Sequence, residues 1–140
     1  MNPEIDSVIR ERAYSLPPER VFAAWTDPAV VARWLGCGDD KRWTVHRWDA
    51  RAGGALHVSL DFDGGIYDVR GEFLIVQSPH RLRYRWADAE IVDVTIAAVA
   101  LGSHLRLEHR FPANAAARER YTGGWPDSLL HLEYACVAAR

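Results

Sequence analysis

The sequence has little of what would settle a function at once. It holds only two cysteines, Cys37 and Cys136, in 140 residues. Two thiols so far apart make neither a disulfide framework nor a zinc-type cluster. Their scarcity makes a reducing cytoplasm the default location. Long apolar runs are also missing. The most apolar stretch, Ile91 to Leu101, carries Asp93 and Thr95 and falls short of the about 20 residues that a spanning helix needs. Met1 to Asp6 lacks the charged-then-apolar pattern of a secretory signal, so no membrane role is expected.

An excess of one charge is absent too. The 17 basic and 19 acidic residues leave a formal net charge of −2, and the basic ones are spread along the chain. Arg81, Arg83 and Arg85 alternate with Leu82, Tyr84 and Trp86, which describes the wet face of a strand. Nucleic-acid binding would need a concentrated basic footprint, so it is not expected. The chain contains no nucleophile elbow, no phosphate loop and no glycosidase-like carboxylate pair. Asp39 and Asp40 follow Gly38 in a loop and read as solvating charges. Cys37 stands between Gly36 and Gly38, but no neighbouring group argues for a lowered thiol pKa. His46 and His57 fall on adjacent strands, with no cysteine or carboxylate at a spacing typical of zinc. Neither a metal site nor a cofactor is expected.

What is present is the material of one α+β domain spanning residues 1–140. An apolar fraction of 49% and a charged fraction of 26% are ordinary for a globular protein. A chain of this length buries roughly two-thirds of its unfolded surface and needs no staple. No linker, repeat or low-complexity tract interrupts it. Val8 to Tyr14 alternates as a first strand, and Pro17-Pro18 stops it. Val21, Phe22 and Trp25 then recur at helical spacing after Pro18 and Glu19. Asp27-Pro28 breaks that helix and opens a second, Ala29 to Leu35, with Val30, Val31 and Trp34 on one side.

From Trp43 the period changes from 3.6 to 2. Strands are expected at Trp43 to Trp48, through Leu56, Val58, Leu60 and Phe62, and at Tyr67 to Val76. Asp63-Gly64-Gly65 reads as the hairpin turn between the last two. Further strands carry Leu82, Tyr84 and Trp86, then Val92, Val94 and Ile96, then Leu105, Leu107, His109 and Phe111. Six strands joined by short turns, with one before the helices, describe an antiparallel sheet of about seven strands. The tail is helical again, with Tyr121, Trp125, Leu129, Leu132 and Cys136 on one stripe. Gly123, Gly124 and Pro126 disfavour a helix interior. A helix over Ala115 to Ala138 is therefore either continuous, bent near Pro126, or properly started there.

This order of elements resembles the helix-grip superfamily, also called START-like or SRPBCC. Local residues sharpen the likeness. Leu16-Pro17-Pro18-Glu19-Arg20-Val21-Phe22, Ala24-Trp25-Thr26-Asp27-Pro28 and Arg33-Trp34 look like the opening signature of one branch. That branch is related to the C-terminal domain of the activator of the heat-shock-protein-90 ATPase, and its members are called homologue-1-like. Arg51-Ala52-Gly53-Gly54 resembles its glycine-pair turn, and Gly71-Glu72-Phe73 with Pro79-His80-Arg81-Leu82 matches its central hairpin. Gly124-Trp125 with Leu129 and Leu132 matches the start of its last helix. The chain departs from the pattern at Tyr121, where many relatives carry histidine, and at Pro126.

The resemblance implies a curved antiparallel sheet gripping the C-terminal helix, with a cavity between them. In that layout Tyr84, Trp86, Leu107 and His109 face Tyr121, Trp125 and Leu129 of the helix, with Trp34 beside them. These residues either line a pocket for a small hydrophobic or amphipathic ligand or simply fill the core. His109 is the one candidate for proton transfer, in phase with the inward Leu105, Leu107 and Phe111. The alternative is a hydrogen-bonded core histidine, and the chain is expected not to be an enzyme. Arg12 could reach into a pocket to meet a carboxylate, but a surface ion pair with a neighbouring strand is the expectation. Superfamily members bind hydrophobic ligands, act as cyclases or hydrolases, or assist chaperones. The eukaryotic activators carry a further N-terminal domain for which 140 residues leave no room, which places a chaperone partner second. An exposed strand edge leaves both monomer and homodimer open.

Overall fold

Alternating apolar and polar side chains dictate most of the architecture. The computed structural model describes residues 4–35, 42–62 and 65–138. Cys37, Asp39, Asp40 and the Asp63-Gly64 part of the expected turn lie outside them. The elements run β1 (Ile5–Tyr14), α1 (Pro18–Thr26), α2 (Pro28–Trp34), β2 (Arg42–Trp48), β3 (Ala55–Phe62) and β4 (Gly65–Gln77). They continue as β5 (Arg81–Ala87), β6 (Glu90–Val99), β7 (Gly102–Pro112) and α3 (Ala115–Ala138). One seven-stranded sheet has the order β1-β7-β6-β5-β4-β3-β2. Strands β2 to β7 form the expected meander, and β1 returns to pair antiparallel with β7.

The period-2 pattern translates directly into burial. On β5, Leu82, Tyr84 and Trp86 are buried while the arginines between them are partly exposed. On β7, Leu105, Leu107, His109 and Phe111 point inward in the same way. Each fully buried aliphatic or aromatic side chain contributes about 1.5–3 kcal/mol relative to its exposed state. Two glycines serve the sheet where no other residue fits. Gly53 turns the chain into β3 with φ +85°, and a Cβ on Gly71 would sit 1.8 Å from the Arg85 carbonyl oxygen.

The two short helices close the inner face. Pro18 starts α1 at a position where a missing N–H costs nothing, and the Asp27 carboxylate accepts from the Ala29 N–H at 3.0 Å to cap α2. Trp25 and Trp34 meet edge to face with centroids 4.6 Å apart, and both are fully buried. The Trp34 indole donates to the Ala24 carbonyl at 2.9 Å, and the Trp48 indole donates to that of Trp25 at 2.7 Å. Helices and sheet are thereby tied by polar as well as apolar contacts.

Helix α3 is continuous through Pro126. A proline there removes the N–H that would bond the Thr122 carbonyl four residues earlier. The Arg10 guanidinium of β1 donates to that carbonyl instead, at 3.1 Å. Other β1 side chains reach the same helix: the Tyr14 hydroxyl donates to the Leu129 carbonyl at 2.9 Å, and Arg118 of the helix pairs with Asp6 at 2.6 Å. Arg12 pairs with Glu133 of α3 at 3.7 Å, not with a neighbouring strand as expected. The helix passes close enough to β1 to offer the nearer carboxylate. The expected stripe of Tyr121, Trp125, Leu129, Leu132 and Cys136 is buried throughout.

Candidate ligand groove

The inner face is not filled evenly. Helix α3 packs on β1, α1 and α2 and stands further from β2, β3 and β4. Between them runs a groove of about 110 Å³. One wall is a cross-strand row: Trp43 on β2 lies opposite Leu60 on β3, which lies opposite Tyr67 on β4. Trp86 and His109 form the floor, and Leu35 borders it from the end of α2. Arg120, Tyr121, Gly124, Trp125 and Ser128 supply the helix wall, one turn apart as helical geometry requires.

Of the residues expected from sequence, Trp86, His109, Tyr121 and Trp125 meet in this groove. Trp34, Tyr84, Leu107 and Leu129 lie elsewhere, at 2% exposure or less within the core. The row Trp43, Leu60 and Tyr67, and the cation Arg120, were not among the expected residues. The phase of Leu60 with Leu56 and Val58 already places it on the inner face. Pairing register then brings Trp43 and Tyr67 beside it.

Beneath the groove lies a closed polar cluster. The Trp125 indole N–H donates to Nδ1 of His109 at 3.1 Å. Nδ1 is therefore the bare ring nitrogen, and Nε2 carries the proton that meets Glu90 Oε1 at 2.8 Å. The Tyr121 hydroxyl donates to the same carboxylate oxygen at 2.5 Å, and its ring covers His109 with centroids 3.9 Å apart. Burial pushes the Glu90 carboxyl up, but the hydrogen bonds from His109 and Tyr121 and the charge of Arg120 hold it below the usual range. Burial, followed by the bond to Glu90, raises the Tyr121 hydroxyl well above the ordinary tyrosine value. At neutral pH the cluster contains one carboxylate with two donors on it, and both nitrogens of His109 have partners.

Residues 15–135 match the family described as Activator of Hsp90 ATPase homolog 1-like protein. The chain belongs to this family. A solved structure from Chromobacterium violaceum is 30% identical, covers 91% of this chain and 95% of its own, and superposes with a TM-score of 0.82. The AHSA1-like protein from Aeromonas hydrophila is 26% identical over 96% of this chain and 94% of its own, with a TM-score of 0.78. A Staphylococcus aureus protein of unknown function shares the fold at 13% identity, covering 98% and 96% of the two chains with a TM-score of 0.82. No curated protein matches the chain.

In this homolog 1-like chain a second polar group lies on the opposite face of the sheet. His46 and His57 stack at 4.4 Å, His46 Nε2 meets the Ser59 hydroxyl at 2.7 Å, and His57 Nε2 meets Asp68 at 2.8 Å. The carboxylate beside His57 comes from the next strand, because β4 pairs with β3 and brings Asp68 across from it. The hydrogen bonds from His57 outweigh desolvation and lower the Asp68 carboxyl below its usual range. Among the described residues, no group of three or more His, Cys, Asp or Glu side chains could hold a metal ion. No helix among them is long and apolar enough to cross a membrane.

Proposed function

We propose that this domain binds a small amphipathic molecule in the groove between α3 and β2–β4 and does not transform it. The observation that carries this reading is the groove wall, where three of the six tryptophans, Trp43, Trp86 and Trp125, converge beside a tyrosine pair. Such a lining suits a flat apolar body and leaves polar tips to orient it. The absence of turnover is supported by His109, whose two nitrogens are both engaged by Trp125 and Glu90. A proton carrier needs a nitrogen within reach of its substrate.

Tryptophan fluorescence tests the reading. Titration with naphthalene derivatives should give a saturable change in the native protein. Gly124→Leu should abolish it, because Gly124 borders the groove and a Cβ there meets no atom within 4 Å, leaving the added side chain to occupy the groove. An unchanged response in that variant, or none in the native chain, removes the reading.

Family membership favours a second reading, contact with an Hsp90-type chaperone ATPase. It is tested by adding the purified chain to such an ATPase. Unchanged turnover at saturating chain would dismiss it.

A further inference from the structure

We propose that the groove selects an aryl carboxylate: a flat ring of one or two fused cycles bearing an anionic group that Arg120 receives. This rests on the groove being a binding site and names the chemistry of what enters it. The groove brings one cation and no anion to its surface. Arg120 is its one charged lining residue, and among the described residues it forms no ion pair and no hydrogen bond. Its guanidinium instead lies over two rings, 5.3 Å from the centroid of Tyr121 and 6.0 Å from that of Tyr67. Two rings within cation–π reach restrain the fork and lower the entropy lost when it receives a planar, two-oxygen acceptor. Arginine recognises carboxylates by that bidentate geometry.

The nearby acid does not compete for this role. Glu90 Oε1 already accepts from His109 and Tyr121, and it lies beneath those rings. Arg120 attracts it only at a distance beyond ion pairing. The cation left without a partner at the groove thus asks for a negative acceptor.

Size narrows the class. The groove offers about 110 Å³. A closed apolar cavity of about 150 Å³ accommodates benzene. The groove is smaller than that cavity but open, so one ring enters it in part and a second extends past the mouth.

Three probes on one naphthalene frame decide the matter: 2-naphthoate, its methyl ester and 2-naphthylmethylamine, each titrated by tryptophan fluorescence. The native protein should bind the acid at least tenfold more tightly than the ester or the amine. Arg120→Gln should erase that preference, so that acid and ester bind this variant with equal affinity, and an unchanged circular dichroism spectrum shows that the variant is folded. Arg120→Lys should restore part of the preference, since it keeps the charge and loses the fork. Equal affinity for acid and ester overturns the proposal and leaves groove binding standing. A preference for the amine overturns it as well, with Glu90 then setting the sign. Binding of none of the three removes the groove reading and this proposal with it.

Discussion

Glu90 receives hydrogen bonds from a strand and a helix at once, so its ionised form is stabilised by the folded arrangement. Its side chain is 17% exposed, and its carboxyl lies below the ordinary value of 4.5 because His109 and Tyr121 outweigh the effect of burial. A carboxyl depressed by folding contributes stability above its unfolded value, and that contribution fades as pH falls through the folded value. Glu90→Gln keeps the shape and the acceptor oxygen but loses the charge. It should cost about 1–3 kcal/mol near neutral pH, the difference made by charged hydrogen bonds. Urea unfolding across the acid range should show the gap between native and variant closing below 4.5. A gap independent of pH would mean that the charge contributes nothing. The inward phase of His109 was readable from Leu105, Leu107 and Phe111 on the same strand. Its partner was not, because Glu90 lies 19 positions away at the start of β6, where a glutamate next to a turn looks like solvated surface.

Within α3 the same contrast between local and distant information recurs. The stripe from Tyr121 to Cys136 was legible because side chains at steps of three and four share a face whatever surrounds them. Continuity through Pro126 was not legible, since proline normally ends or kinks a helix and its compensation comes from a strand more than a hundred residues earlier in the chain. Arg10 donates to the Thr122 carbonyl that Pro126 leaves unpaired. The two residues should therefore be energetically coupled. Arg10→Met should cost about 1 kcal/mol in the native background. Pro126→Ala restores the intrahelical donor and should stabilise by about 1–3 kcal/mol. In the Pro126→Ala background the Arg10 substitution should cost distinctly less, because the carbonyl then has its own partner. A double-mutant cycle measured by chemical denaturation reads this coupling directly. Strict additivity would show that Arg10 contributes by packing alone.

Across the whole molecule, the inner faces of β3, β5, β6 and β7 followed from alternation, and the order of the meander followed from its short turns. Which part of that face stays uncovered depends on where α3 rests. That is set by the β1 contacts of Arg10, Tyr14 and Arg118 and by the tryptophans of α1 and α2. No local pattern encodes it, which is why Trp43, Leu60 and Tyr67 stood outside the expected site and Trp34, Tyr84 and Leu129 within it. The same asymmetry has a dynamic consequence. The C-terminal half of α3 is packed against α1 and α2, whereas the half from Ala115 to Trp125 is held along one side by β1, β6 and β7 and borders the groove on the other. A ring in the groove would join that half to β2–β4. At a hundredfold excess over its Kd, a ligand adds about 2.7 kcal/mol to global stability. Amides that exchange by local opening should gain protection only where contacts are added. Hydrogen exchange with 2-naphthoate should therefore slow the locally opening amides of α3 up to Ser128 and of β2–β4, and leave those beyond Ser128 unchanged. Slowing confined to α3 beyond Ser128 would place the ligand away from the groove.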